Sequence, residues 1–485
     1  MRAWKRRHVG LISALTMMLL AAGLGSVTAA APDPAQVGSW SAQIPLGVIG
    51  IHAALLSSGD VLFYELPGST LARARLFDPT TQAVTDVDPH LSWSVFCSGM
   101  SLLPDGRLLA TGGEPPRTTE NPVGTGIDNA ALFNPATNTW SGAAPMAYPR
   151  WYPSNVEMPN GTILVMGGET VPAGSDKFVK PMESYDPATN NWTTLPASGD
   201  VTGLYPRSIL LPNGDVLRAG PQRPTLEYDP STMKWTKVAN LIHGPRTSGG
   251  VVLLPGLNKI LTSGGHTSAG VTNTAEILDM SAASPHWVAT GSMAIARMHQ
   301  NLVLLPDGTV LAVGGGQQGN FGAPVKTAEL YDPATGIWNT MATQAGQRTY
   351  HSTALLLPDG RVISAGSNSG KPEQTTVEIY SPPYLFDGAR PTIASAPDSI
   401  AYGSTFDVQT PDAAGITRVS LLQLTATTHG WAQDQRYVDV SFTRGSDVLH
   451  VTAPSDAATA PRASYMLFIV NGAGVPSVAK ILSVP

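Results

Sequence analysis

The sequence predicts an all-β protein, a seven-bladed β-propeller followed by a C-terminal β-sandwich, and three observations carry that prediction. An apolar pair, then Pro-Asp/Asn-Gly, then a short apolar strand ending in Gly recurs around Gly59, Gly106, Gly161, Gly214, Asn258, Gly308 and Gly360. A second half-motif, E/L-x-Y/F-D/N-P-x-T-x-x-W, follows the copies, from LFDPTTQ at 76–82 through LYDPATGIW at 330–338 to IYSPPYLF at 379–386. Beyond about residue 390 both stop, and short alternating runs such as STFDVQT, ITRVSLLQL and ASYMLFIV take over.

In chain order, residues 1–31 read as an export signal. Arg2, Lys5, Arg6 and Arg7 precede an apolar run over 11–24, and the small residues from Ser26 to Ala31 suit cleavage near Ala29 or Ala30. The alternative is an uncleaved anchor, disfavoured because the run is shorter than a comfortable membrane span. The expected location is therefore outside the cell, or on its surface if the segment stays. Over the whole 485 residues, 49 Gly and 41 Pro favour turn-rich β structure. A net charge of −6 with mixed signs leaves no basic face for nucleic acid and no polybasic membrane patch.

Residues 32–390 are expected to form the propeller. Seven units at roughly 45–55 residues match the kelch period. Each reads as a strand, a tight Asn/Asp-Gly hairpin, an apolar strand, a loop and two more strands. One such sheet cannot bury both faces alone, whereas a closed ring lets each blade cover its neighbour. Trp140, Trp192, Trp235, Trp287 and Trp338 are expected to pack between blades. Residues 391–485, with turn residues between alternating runs, are expected to form a sandwich of the immunoglobulin type.

The repeat also has a register. The innermost strands of a propeller run along its axis, so equivalent positions gather around one opening. Nine residues before the hairpin Gly stand Cys97, Tyr152, Tyr205, His299 and His351, with Gly50 and about Gly249 in the first and fifth blades. Tyr350 precedes His351. Cys97 is the only cysteine, so an exported chain can give it no internal disulfide partner. Imidazoles and phenols near one axis, without thiolate ligands, suit tetragonal Cu(II) better than zinc or calcium. No carboxylate pair occupies the register, which argues against a glycoside hydrolase. A non-catalytic kelch surface that binds a cell wall or a protein is the competing reading.

The segments FCSGMSLLPDGRLLATGG, PRWYPSNVEMPNG, QRTYHSTALLLPDG and TTHGWAQDQRYVDV resemble the four signature segments of the galactose oxidase and glyoxal oxidase family of copper radical oxidases, nearer to glyoxal oxidase. The resemblance implies that Cys97 and Tyr152 form a thioether-bridged cysteinyl-tyrosine whose Tyr152 binds copper and holds a radical. It implies Tyr350 as axial ligand and base, and His351 and His429 as the remaining ligands. His429 would be delivered by a hairpin of the sandwich, with Gln435 and Arg436 as supports. The implied reaction oxidises small aldehydes or primary alcohols, including those on glycans, with O2, releasing hydrogen peroxide. One copper per chain and a monomer are expected. Arg207 and His299 are candidate substrate contacts, and His52 is expected to be structural. Galactose oxidase stacks a tryptophan over its thioether. The corresponding loop here, GGETVPAGSDKF, has none, leaving Phe178, Trp93 or Trp151 to substitute. Substrate preference is expected to lie in loops 114–128, 169–180 and 316–325.

Overall fold

A computed structural model describes residues 32–65, 72–115, 125–170, 178–196, 203–368 and 373–485. The expected export segment and parts of loops 114–128 and 169–180 lie outside the described residues. Among the described residues no helix is long and apolar enough to cross a membrane.

Residues 33–485 form one compact unit built from small antiparallel sheets. Blades two to six each draw four strands from consecutive chain. In blade three these are Ser154–Glu157, Ile163–Met166, Glu183–Asp186 and Asn191–Thr194. Inner strands are buried on both faces and outer strands largely exposed, as a radial stack requires: His52–Leu55 is buried throughout and Val84–Asp86 exposed throughout. Blade seven has only three late strands of its own. The early segment Ser39–Trp40 completes it, pairing with Thr376–Ser381 so that Ser39 faces Ser381. The ring is thus closed by hydrogen bonds between its first and last segments.

Three of the five repeating tryptophans hydrogen-bond across to the preceding blade. The indole N–H of Trp140 donates to Val87 O at 2.9 Å, that of Trp192 to Ala144 O at 2.7 Å and that of Trp287 to Thr225 Oγ1 at 2.8 Å. The double glycine after the second strand of a blade has a related cause. A Cβ on Gly112 or Gly314 would collide with the carbonyl of Arg150 or Arg348 in the next blade. With hydrogen there instead, Gly113 N donates to Arg150 O at 2.9 Å and Gly315 N to Arg348 O at 2.6 Å.

The C-terminal part pairs two sheets. One is Thr405–Gln409, Val448–Thr452 and Phe442–Arg444; the other is Tyr437–Val440, Ile416–Gln423, Ser464–Asn471 and Lys480–Ser483. Between Ile416–Gln423 and Tyr437–Val440 the chain leaves the sandwich as a finger. Its strands Ala426–Thr428 and Trp431–Gln433 extend blade one to six strands, Thr428 pairing with His52. Four successive side chains then stand in for a strand against the inner edges of other blades. Gln433 Oε1 accepts from Met100 N at 3.2 Å and Asn155 N at 2.9 Å, and Asp434 Oδ1 accepts from Glu157 N at 2.9 Å. Gln435 Oε1 accepts from Leu304 N at 2.9 Å, while Arg436 Nη1 donates to Leu210 O at 3.0 Å.

Gln433→Ala is expected to strand two buried backbone donors and to cost about 3 kcal/mol of stability. Denaturant unfolding monitored by tryptophan fluorescence reads this directly. A loss below about 0.5 kcal/mol would mean that water replaces the amide and that the finger is held by apolar packing instead.

Candidate metal centre

The register positions converge, and the backbone explains how. Cys97, Tyr152, Tyr205, His299 and His351 all have left-handed φ, between 43° and 66°. The fifth-blade position is Ser248, φ 56°, and not Gly249 as the count suggested; the hairpin there carries one more residue, with Leu257 itself left-handed. Each such non-glycine residue costs of order 1–3 kcal/mol, and the surrounding structure must hold it. Part of that hold is a chain of bonds around the mouth: Tyr152 N donates to Cys97 O at 3.0 Å, Tyr205 N to Tyr152 O at 2.8 Å and His299 N to Ser248 O at 2.8 Å.

A second brace was not foreseen. Arg150, Arg246, Arg297 and Arg348 are buried and pair with Glu183, Glu276, Glu329 and Glu378 of the third strand of their own blades, at 2.8, 2.6, 2.6 and 3.3 Å. Removing one member of such a pair costs about 3–5 kcal/mol. The signal was present as an Arg two residues before the register residue in RWY, RTS and RMH. In blade seven the spacing is three, RTYH. That one extra residue is what adds Tyr350 beside His351.

His429 arrives differently. His429 and Gly430 are the two central residues of the finger's hairpin, with φ of 53° and 70°, the signs a type I′ turn requires. A Cβ on Gly430 would lie 2.7 Å from Gln300 O, so the turn passes blade six at a distance only glycine permits.

These elements bring four nitrogen and oxygen donors together. The Tyr152 hydroxyl is the common point. It shares a hydrogen bond with the Tyr350 hydroxyl, and it lies 2.9 Å from His429 Nε2 and 3.5 Å from His351 Nε2. The outer nitrogens are engaged elsewhere, His351 Nδ1 with Asn368 Oδ1 at 3.0 Å and His429 Nδ1 with Thr428 Oγ1 at 2.6 Å. The Nε2 lone pairs therefore face inward, the usual arrangement of histidine ligands. Cys97 is buried beside Tyr152. Burial, then the Cys97 sulfur and the Tyr350 phenol, push the Tyr152 phenol well above its ordinary pKa. Burial also pushes the Tyr350 phenol up and holds the His429 imidazole well down. A cation among these donors would reverse the balance at the phenols, favouring phenolate. Among the described residues no three His, Cys, Asp or Glu side chains converge as ligands, so any metal here depends on the two tyrosines. The residues fit a copper ion and do not resemble a zinc or calcium site.

A cleft of about 300 Å³ opens above the cluster, lined by Tyr205, Arg207, Gln222, Ser248, His299 and Asn320 among others. Both candidate contacts sit in it. Arg207 is 5% exposed, and burial holds its guanidinium down to about 10. His299 Nε2 meets Asn320 Oδ1 at 3.1 Å, and burial lowers its pKa to about 4. Of the aromatics proposed to cover the thioether, Trp151 packs edge-on against the Tyr152 ring at 4.0 Å. Phe178 lines the cleft, and Trp93 lies against Gly142 of the outer strand of blade two. The sequence reading also passed over Phe96, whose ring lies 5.5 Å from that of His351, and Asn320, whose carbonyl accepts from Tyr350 N at 3.1 Å.

A propeller whose pore is closed by a finger carrying one histidine to two tyrosines and a second histidine defines a class, the copper radical oxidases that act on alcohols or aldehydes. Residues 68–384 match the glyoxal oxidase N-terminus model and 390–484 the galactose oxidase-like early set domain. The chain is 29% identical over 506 residues to a galactose oxidase of Gibberella zeae, covering 94% of this chain and 71% of that one. It is 28% identical over 521 residues to the aldehyde oxidase GLOX of Vitis pseudoreticulata, covering 91% and 96%. A solved fungal alcohol oxidase of the AA5 family, in complex with copper, superposes with a TM-score of 0.82 at 28% identity, over 93% of this chain and all of the other. The chain belongs to the glyoxal oxidase family.

Proposed function

We propose that the protein is an exported oxidase that converts primary alcohols to aldehydes, or hydrated aldehydes to acids, and reduces O2 to hydrogen peroxide. The observation that carries this reading is the convergence of Tyr152, Tyr350, His351 and His429 beside Cys97. Those four side chains would hold the copper, and Cys97 and Tyr152 would be joined by a thioether. Copper would supply a one-electron couple, and the sulfur-substituted Tyr152 phenol would accept the second of the two electrons that leave the substrate. The balance is RCH2OH + O2 → RCHO + H2O2, or RCH(OH)2 + O2 → RCOOH + H2O2. Tyr350 is the one partly exposed member of the cluster and borders the cleft, which supports it as the group that would receive the substrate hydroxyl proton. Trp151 and Phe96 exclude water from the far sides of Tyr152 and His351. The basic-then-apolar stretch over 1–31 supports export.

The cleft supports a polar substrate. Among the described residues no carboxylate pairs with Arg207, and its Nη1 donates only to Tyr205 O at 3.2 Å, beneath a cation–π contact with Trp431 at 5.3 Å. Arg207 would hold a hydroxyl or carboxylate oxygen of the substrate. Arg207→Lys is expected to raise KM about tenfold or more for substrates bearing such a group, with a smaller effect on kcat. Unchanged KM for every substrate would remove Arg207 from recognition. The deciding experiment for the activity is a peroxide-coupled assay of copper-loaded protein against small aldehydes, primary alcohols and sugars. Absence of peroxide with all of them would overturn the proposal.

A further inference from the structure

The chain of backbone bonds around the mouth has a gap between blades one and two. Three register residues, Tyr152, Tyr205 and His299, donate their N–H to the carbonyl of the preceding register residue. For Cys97 the acceptor is a side chain: Cys97 N donates to His52 Nε2 at 3.0 Å. His52 stands two residues past Gly50, the register position of blade one, on the strand His52–Leu55. A backbone amide can only donate, so Nε2 must present its lone pair and Nδ1 must carry the hydrogen. Nδ1 lies 3.4 Å from the Met100 sulfur, an acceptor compatible with that tautomer. The ring is stacked on Tyr64 at 4.2 Å and 5°, and the Tyr64 hydroxyl bonds Ser98 Oγ at 3.1 Å. Tyr205 Oη donates to Ser98 O at 3.0 Å, so the Cys97–Ser98 segment is held from three sides. The opposite edge of the His52 backbone is paired with Thr428, next to His429.

The geometry points to His52 as the positioning residue for the Cys97–Tyr152 thioether. The inference rests on the cross-link proposed above. By accepting the Cys97 N–H, His52 holds Cys97 at φ 63° and keeps its thiol turned toward the Tyr152 ring. In the step it serves, the Cys97 S–H bond and a ring C–H bond ortho to the Tyr152 oxygen break and one C–S bond forms. Two protons and two electrons leave, and O2 takes up both pairs as hydrogen peroxide. His52 touches neither the new bond nor the oxidant. It sets how often sulfur and ring carbon are in reach.

The test follows cross-linking itself: protein purified without copper is given copper(II) in air, and intact mass and thiol titration under reducing conditions are read against time. Wild type is expected to lose two mass units and its titratable thiol. His52→Phe keeps the stacked shape without an acceptor and is expected to cross-link about tenfold more slowly at unchanged copper affinity. His52→Gln, whose amide oxygen can accept, is expected to recover most of that rate. Met100→Leu, which frees the tautomer while conserving volume, is expected to fall between, and it keeps the inference testable should His52→Phe not fold. Cross-linking at the wild-type rate in His52→Phe, or in Met100→Leu if only that variant folds, overturns the role of His52 while leaving the thioether intact. If wild type keeps its full mass and its thiol, the cross-link reading fails first, and the role of His52 with it.

Discussion

Replacing Tyr152 by Phe is expected to yield a folded protein without measurable oxidase turnover, a loss of at least about ten-thousandfold, or about 5 kcal/mol in the barrier. The effect is large because one oxygen has three neighbours. The Tyr152 hydroxyl meets Tyr350, His429 and His351, so its removal takes away a proposed copper ligand, the proposed site of the second electron and the group nearest the proposed base. Folding should survive, since phenylalanine fills nearly the same space and keeps the edge-on contact with Trp151. Cys97 should then titrate as a thiol and the mass should equal that of the sequence. Cys97→Ala separates the parts: it should bind copper, because sulfur is not a proposed ligand, yet turn over much more slowly. Copper titration, thiol titration and kcat on one substrate check both variants together. Activity of Tyr152→Phe within tenfold of wild type would remove Tyr152 from the chemistry.

A chain ending at Arg390 is expected to be inactive at every copper concentration and to lose cooperative thermal unfolding. The sequence alone allowed a milder outcome, since seven blades would remain. The finger changes that expectation. Without it the pore loses His429, two strands of blade one, and the acceptors for the backbone N–H groups of Met100, Asn155, Glu157 and Leu304. Each buried donor left unmet costs about 1–3 kcal/mol, which together exceeds much of the net stability of a domain. His429→Ala in the full-length protein is the control, expected to fold normally and to lose copper affinity and turnover. Oxidase activity in the shortened chain would mean that the fourth ligand lies elsewhere.

Much of this molecule is local in origin. Apolar strands, Asp/Asn-Gly hairpins and a fixed period specify seven blades, because each blade makes the same turns from the same residue types. The count of nine from the hairpin glycine places Cys97, Tyr152, Tyr205, His299 and His351 at one mouth, because inner strands of equal length start at equal heights. The fifth blade escaped that count when its hairpin grew by one residue around Leu257. His429, and the roles expected of Tyr350 and of Cys97 with Tyr152, were legible only through resemblance to a family, since nothing in TTHGWAQ announces a destination in a pore.

The sequence by itself therefore determined the blades, the sandwich and the register, all of which follow from patterns repeated within tens of residues. Only the tertiary structure decided which side chains complete one another across the ring. His52 holds Cys97 over 45 residues, Gln433 holds Met100 over 333, and His429 meets Tyr152 over 277. Such pairs have no period and no spacing rule. They form because a closed ring and an inserted finger bury polar groups that must find partners, and burial is a property of the assembled fold.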